Sequence, residues 1–208
     1  MRILLADDHT IVREGIKIIL TEAYPDAEII DVADSIDLMK KVYKGKWDII
    51  LCDISMPPGD SGLESIKQIK EHAPKTPVLI LSMHAPDQYA VRAIKAGAMG
   101  YLTKGTATME LVKAVEQVLS GKKYLSPEVA DILANAFESQ QSNPIDQLSD
   151  REFEVFKLLA SGQSVSQIAK QLMLSNNTVS TFRNRIFEKL ELRNNLELIK
   201  FAIDRQRI

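Results

Sequence analysis

The sequence predicts an α/β domain, a doubly wound five-stranded parallel sheet, followed by a smaller all-α domain. Three observations predict it. From Met1 to about Gly121, short apolar runs alternate with longer stretches of helical period, as they do in a parallel sheet covered by helices on both faces. From Glu138 to Gln147 the chain reads E-S-Q-Q-S-N-P-I-D-Q, polar and without periodicity, as a linker does. Beyond it only helical periods recur, separated by short turns.

The expected strands are Ile3 to Ala6, Glu28 to Val32, Ile49 to Cys52, Val78 to Leu81 and Gly100 to Leu102. Between them, single helical faces collect Ile11, Gly15, Ile16, Ile19 and Leu20, then Leu38, Val42 and Tyr43, then Leu63, Ile66 and Ile69. Two more follow, with Val91, Ile94 and Lys95 and with Leu111, Val115, Val118 and Leu119. The crossovers between parallel strands must be right-handed. Ser126-Pro127-Glu128 then opens a linker helix, a capping hydroxyl before proline at the first helical position, which carries Val129, Ile132, Leu133 and Phe137. The chain thus divides into a domain over 1–121, a linker helix and linker over 122–147, and a domain over 148–208.

In the last of these, Ser149 to Glu152 is a capping box opening a helix with Phe153, Phe156, Leu158 and Leu159 that closes at Gly162. A short helix with Val165, Ile168, Ala169 and Leu172 follows. After the turn M-L-S, Ser175 caps a third helix running to about Leu190, and Asn194 with Glu197 starts a fourth. Two short helices on a tight turn, the second of them basic, fit a helix-turn-helix.

Composition narrows the function classes. No run approaches the roughly 18 apolar residues of a membrane span, and M-R-I-L-L-A-D-D is too short an apolar opening for a signal peptide, so cytosol is the expected compartment and no membrane partner is expected. A single cysteine, Cys52, excludes an intrachain disulfide. The net charge of −2 says little, but from Lys170 to Arg193 five cations (Lys170, Arg183, Arg185, Lys189, Arg193) face only Glu188 and Glu191. That local basic stretch suits a polyanion.

The chemistry is expected at the strand ends. Asp53 stands where the apolar run Ile49 to Cys52 stops, Asp7 and Asp8 follow the first strand, and Ser82 ends the fourth. Ligands of open α/β sheets sit beyond the carboxyl ends of such strands. Clustered carboxylates repel one another unless a cation lies among them, and Mg²⁺ suits hard oxygen ligands. With Lys104 nearby, the set is equipped to handle phosphoryl groups. Taken singly, Asp7 and Asp8 could merely cap a helix and Lys104 could be a solvated charge.

These residues resemble a family. The pair Asp7-Asp8, D-I-S-M-P around Asp53, Ser82, and A-G-A-M-G-Y-L-T-K ending at Lys104 look like a response-regulator receiver domain, which has a flavodoxin-like fold. The resemblance implies that Asp53 accepts a phosphoryl group from the phosphohistidine of a sensor histidine kinase. It also implies that Asp8, Asp53 and the backbone carbonyl of Ser55 hold Mg²⁺ while Asp7 acts through water. Lys104 would pair with the phosphoryl oxygens, Ser82 would donate its hydroxyl, and Tyr101 would change rotamer with it. M-P-P-G-D-S-G carries one residue more than the common spacing, and Gly105 stands where many receivers have proline.

L-S-D-R-E-F-E-V-F-K-L-L-A-S-G-Q-S, then Q-I-A-K-Q-L-M-L-S-N-N-T-V-S and K-L-E-L-R-N, resemble a LuxR-type helix-turn-helix, and the pair of domains resembles the NarL/FixJ family of transcriptional regulators. On the third helix, Val179, Phe182, Ile186 and Leu190 would be the buried stripe. Of the outward residues, Ser180, Thr181 and Asn184 would face DNA bases and Arg183, Arg185 and Lys189 the phosphate backbone, with Asn177 also on the DNA-binding side. The last helix would give one apolar side to the core and another to a dimer. The expected protein is therefore a two-component response regulator whose phosphorylation controls homodimerisation and DNA binding, with RNA polymerase as a further candidate partner. It would promote its own phosphoryl transfer and dephosphorylation without being a turnover enzyme. The face formed by the helix after Pro86, strand five and the helix after Thr106 is the candidate for pairing; alternatively, phosphorylation frees a recognition helix that the receiver had masked. Two other readings stay open: a Mg²⁺-dependent phosphohydrolase, disfavoured because Ser55 stands where a D-x-D motif would place its second acid, and a receiver serving only as a dimerisation scaffold.

Overall fold

In a computed structural model of the chain, residues 1–57, 61–138 and 144–204 are described, without the side chains of 137 and 138. Phe137 as an apolar residue of its helix, the extra residue of the loop at 58–60 and half of the expected linker, 139–143, therefore lie outside the described residues. Two compact units are present, Met1–Glu138 and Ser139–Ile208.

The first unit is built on five parallel strands, β1 (Arg2–Ala6), β2 (Glu28–Val32), β3 (Ile49–Asp53), β4 (Val78–Ser82) and β5 (Gly100–Thr103), in the order β2-β1-β3-β4-β5. Each lies where the sequence places it. β3 and β4 are buried at every residue, which is why they read as unbroken apolar runs, whereas the edge strand β2 is half-exposed. The strand order reverses between β1 and β3, so the crevice for a ligand opens at their carboxyl ends. Register sharpens this. Ala6 pairs with Cys52, Asp53 with Leu81 and Ser82 with Thr103, so the residues following β1 meet the ends of β3, β4 and β5 at one height.

Helices α1 (Thr10–Ala23), α2 (Ser35–Lys44), α3 (Gly62–His72), α4 (Pro86–Ala96) and α5 (Lys104–Leu119) cover the sheet. The inner face of α3 is the one expected, and the others need corrections. On α4 the buried residues include Tyr89, Ala90 and Ala93, while Val91 and Ile94 are half-buried and Lys95 is exposed, and Leu119 at the end of α5 is exposed. Ile11 is 89% exposed and Gly15 has open space around it, while Ile16 and Leu20 are buried. At about 100° per residue, Ile11 and Leu20 stand on opposite sides of α1 and could never share a face. Tyr43 is also exposed, and its place inside α2 is taken by Met39.

The segment 122–138 is not a free connector. Tyr124 bridges Gly100 at the edge of β5 and its N–H donates to the Met99 carbonyl at 2.8 Å. A Cβ at position 100 would lie 2.7 Å from the Tyr124 carbonyl oxygen, so glycine is what admits this close approach. The helix that follows, α6 (Pro127–Glu138), packs along α4 with Val129 fully buried. The α4–β5–α5 face, expected to be open for pairing, is thus partly covered by the chain's own α6.

The second unit has a short 3-10 turn at Pro144–Gln147 and helices α7 (Asp150–Ala160), α8 (Val165–Gln171), α9 (Asn176–Lys189) and α10 (Asn195–Asp204). Residues 144–147, read as linker, join this unit, because Ile145 is buried in it. Ser149 with Glu152 and Ser164 with Gln167 form reciprocal capping boxes, so α7 and α8 both start at fixed points. Phe153, Phe156, Leu159, Ile168, Val179, Ile186 and Leu198 are buried, whereas Phe182 and Leu158 are only half-buried. α8 and α9 meet through a turn in which Met173 adopts φ 52°, a left-handed conformation that few non-glycine residues take.

Candidate functional site

The crevice above β1 and β3 gathers the expected groups. Asp7 is fully buried and Asp53 is 3% exposed. One oxygen of Asp53, Oδ1, accepts from the backbone N–H of Ile54 at 2.6 Å and more weakly from that of Ser55 at 3.4 Å, which fixes the carboxylate plane. The other, Oδ2, accepts from Lys104 Nζ at 2.7 Å. Lys104 Nζ is equally close to Asp7 Oδ2 at 2.7 Å, an ion pair by distance.

Charge balance shows what the crevice lacks. Asp7, Asp8, His9 and Asp53 can bring ligand atoms within 4.8 Å of one another. Asp7 Oδ2 and Asp8 Oδ1 are buried without a hydrogen-bond donor, despite the nearby Lys104 ammonium and the His9 imidazole at 2.6 Å from Asp8. Burial pushes the Asp53 carboxyl up to about 6, against the lowering effect of Lys104. Burial alone would lower the Lys104 ammonium, but Asp53 and Asp7 raise it overall. Three carboxylates against one ammonium leave the crevice an excess of negative charge, which fits a small hard cation. The Ser55 carbonyl, the fourth expected ligand, belongs to the same loop just after β3.

Ser82 and Tyr101 are brought to the same crevice from β4 and β5. Both are buried. The Tyr101 hydroxyl donates to the His84 carbonyl at 2.9 Å, and the His84 N–H donates to Ser82 Oγ at 3.1 Å. Burial pushes the Tyr101 phenol well above its ordinary value, so it remains a donor. His84 is half-buried with its ring 4.8 Å from that of Tyr89.

Two contributors escape sequence reasoning. Gly62 starts α3 and its N–H donates to the Ile54 carbonyl at 2.7 Å, so close to β3 that a Cβ would collide with the Asp53 carbonyl oxygen. The faint signal was a glycine directly after Ser61, the cap of α3. Arg13, on the first helix, donates to the Asp7 carbonyl at 2.6 Å.

On α9, Asn177, Thr181, Asn184 and Arg185 are exposed and Ser180 is half-buried. Thr181 Oγ1 donates to the Asn177 carbonyl at 2.9 Å, which leaves its lone pairs for an outside donor. Arg183 departs from the expectation of a free phosphate-binding group: its Nε is buried and its guanidinium lies 6.0 Å from the Phe187 ring centre. Lys189 departs further. Its ammonium is bound inside the domain, 2.6 Å from Glu152 Oε2 and 3.1 Å from the Gln147 carbonyl. Burial would push Glu152 up, yet Lys189 and the Ser149 cap hold it below the usual carboxylate range, so this pair is ionised and structural. Among the described residues no helix is long and apolar enough to cross a membrane.

Comparison with known proteins covers both units. Residues 3–116 match the response regulator receiver domain, and residues 146–202 match the luxR family of bacterial regulatory proteins. The oxygen regulatory protein NreC of Staphylococcus carnosus is 35% identical over 99% of this chain and 98% of its own length. The response regulator GacA of Pseudomonas aeruginosa is 36% identical over 98% of this chain and 95% of its own. Among solved structures, RcsB of Salmonella enterica serovar Typhimurium, bound to a promoter in the presence of the phosphomimetic BeF3−, is 29% identical, covers 97% of both chains and superposes with a TM-score of 0.59.

Proposed function

The chain belongs to the NarL/FixJ family of two-component response regulators, and from that premise we propose that phosphorylation of Asp53 by a histidine kinase sets its affinity for DNA. The observation that carries the proposal is the Asp53 carboxylate itself, buried at a strand end, fixed on one oxygen by two amides and on the other by Lys104. Nothing in the packing asks for an acid there.

Asp7, Asp8 and Asp53, with the Ser55 carbonyl, would hold Mg²⁺, which when bound neutralises charge on the incoming phosphoryl group and on the acids around it. Asp53 attacks phosphorus as the P–N bond of the phosphohistidine breaks, and the imidazole leaves with the bond's electron pair. Lys104 then has an oxygen of the acyl phosphate to pair with in place of Asp53 Oδ2. Ser82 Oγ accepts from the His84 N–H through a lone pair, so its own hydroxyl hydrogen can be donated to the phosphoryl group while that bond persists, and Tyr101 is tied to the same His84. This is stoichiometric chemistry on the protein's own side chain, not turnover of a substrate. Since α6 covers part of the α4–β5–α5 face, a second copy reaches that face fully only by displacing α6. A homodimer would then present two copies of α9 to DNA half-sites about 10 bp apart.

The DNA reading is tested on α9. Arg185 is expected to supply affinity through phosphate, and Asn184 to supply base choice. Measured at fixed salt on a panel of single-base operator variants, Arg185→Ala should weaken every site about equally, while Asn184→Ala should remove discrimination worth about 1–3 kcal/mol at one position. The reverse pattern would exchange the two roles. Lys189→Ala should instead lower the stability of the second unit and leave the salt dependence of binding unchanged.

A further inference from the structure

We propose that Arg13 is a positioning residue for the acidic crevice: it fixes the Asp7 carbonyl from behind and thereby the direction in which the Asp7 and Asp8 carboxylates face. The proposal rests on reading that crevice as a divalent-cation site.

Asp7 is the first residue beyond the β1 ladder, and being fully buried it cannot leave its backbone groups to water. Its N–H donates to the Val32 carbonyl at 3.2 Å, and its Oδ1 accepts from the His9 N–H at 2.8 Å. Its carbonyl lies past the last strand pair. Arg13 Nη1 supplies the donor at 2.6 Å.

Arg13 is itself held. Its Nε donates to Asp31 Oδ2 at 3.1 Å, its side chain is only 12% exposed, and Lys17 Nζ lies 3.2 Å from the other Asp31 oxygen. Burial would push Asp31 up, but Lys17 and Arg13 together keep it below its ordinary value, so the anchor is ionised. The guanidinium is thus a rigid fork from α1, one prong on the terminal carbonyl of β1 and the other on β2. Its planarity fixes the spacing between those acceptors, which a single ammonium cannot do.

The sign of the effect separates positioning from charge. Arg13 is a cation beside a cation site, and by Coulomb's law alone its removal would strengthen divalent binding. If it acts by holding the Asp7-Asp8 turn, its removal weakens binding instead. Lys17 is the charge-matched control, because it sits on the same helix and the same Asp31 but pairs with Glu14 and Asp31 and not with Asp7.

The test is a Mn²⁺ titration of the full unphosphorylated chain, with free ion read by electron paramagnetic resonance. Arg13→Met is expected to bind Mn²⁺ about tenfold or more weakly, as loss of a group that orients metal ligands does. Arg13→Lys should not restore native affinity. Arg13→Lys keeps the charge and loses the fork, so it decides the matter if Arg13→Met does not fold. Lys17→Met should bind as the native chain does or more tightly. Native or tighter binding by Arg13→Met, or by Arg13→Lys where the first is unfolded, overturns the positioning role. Failure of the native chain to bind Mn²⁺ overturns the cation site, and the role of Arg13 with it.

Discussion

Asp53→Asn is expected to abolish phosphoryl labelling by a small phosphodonor in the presence of Mg²⁺, measured as the loss of a single phosphoryl increment in the intact mass. Asparagine preserves the shape and the hydrogen bonds from the Ile54 and Ser55 amides to Oδ1. It removes the nucleophilic charge and the partner of Lys104. The same substitution should stabilise the cation-free protein, which distinguishes a lost nucleophile from a damaged fold. The folded-state carboxyl is raised to about 6, above its ordinary range, because burial penalises the charged form. A group raised in this way favours the fold while protonated, and that contribution is lost as pH rises from the ordinary carboxylate range through about 6. At pH 8 without Mg²⁺, the Asn variant should therefore melt above the native protein, and at pH 4 the difference should shrink. Retained labelling of the variant would move the acceptor to another residue.

Gly62→Ala is expected to be among the most damaging single-atom additions to the first unit. The new Cβ would meet the Asp53 carbonyl oxygen and, at 2.7 Å, the Ile54 Cα, both of them backbone atoms that no rotamer change can move. Relief requires α3 to lift away from the end of β3, breaking the Gly62–Ile54 hydrogen bond and shifting the loop that carries Ser55. Overpacking of this kind costs about 1–3 kcal/mol or more, and the displaced loop should also slow phosphoryl transfer to Asp53. Gly15→Ala makes the comparison direct, since nothing lies within 4 Å of a Cβ there and alanine in the α1 interior should stabilise by up to about 1 kcal/mol. Urea unfolding of both variants, followed by far-UV circular dichroism, checks the contrast. Equal stabilities would mean that α3 does not sit against β3 as described.

What the sequence made legible follows from range. The inner strands are readable because β-runs buried on both faces need no partner to declare themselves, and Asp53, Asp7 and Lys104 stand out as charges at the ends of such runs. Ile11 reads as core from its apolar side chain, although nine residues at about 100° each set it half a turn from Leu20, and Tyr43 reads as core as an aromatic next to Val42. Lys189 resembled a phosphate contact, for its partner Glu152 lies 37 residues away in another helix. Arg13 and Gly62 stayed hidden for a related reason. Their partners are main-chain carbonyls, which every residue has and no sequence pattern marks. Tyr124 could have been suspected from an apolar residue between Lys123 and Ser126, but its neighbour Gly100 became meaningful only once the two backbones were seen side by side.

The most direct test of the link between the two units is the DNA affinity of the full chain, measured by fluorescence anisotropy on its own operator over a range of protein concentrations, with and without phosphodonor and Mg²⁺. Phosphorylation is expected to tighten binding about 5- to 150-fold, the span of ordinary coupling free energies, with no response in Asp53→Asn. Equal affinity of the phosphorylated and unphosphorylated chain at every concentration would contradict it.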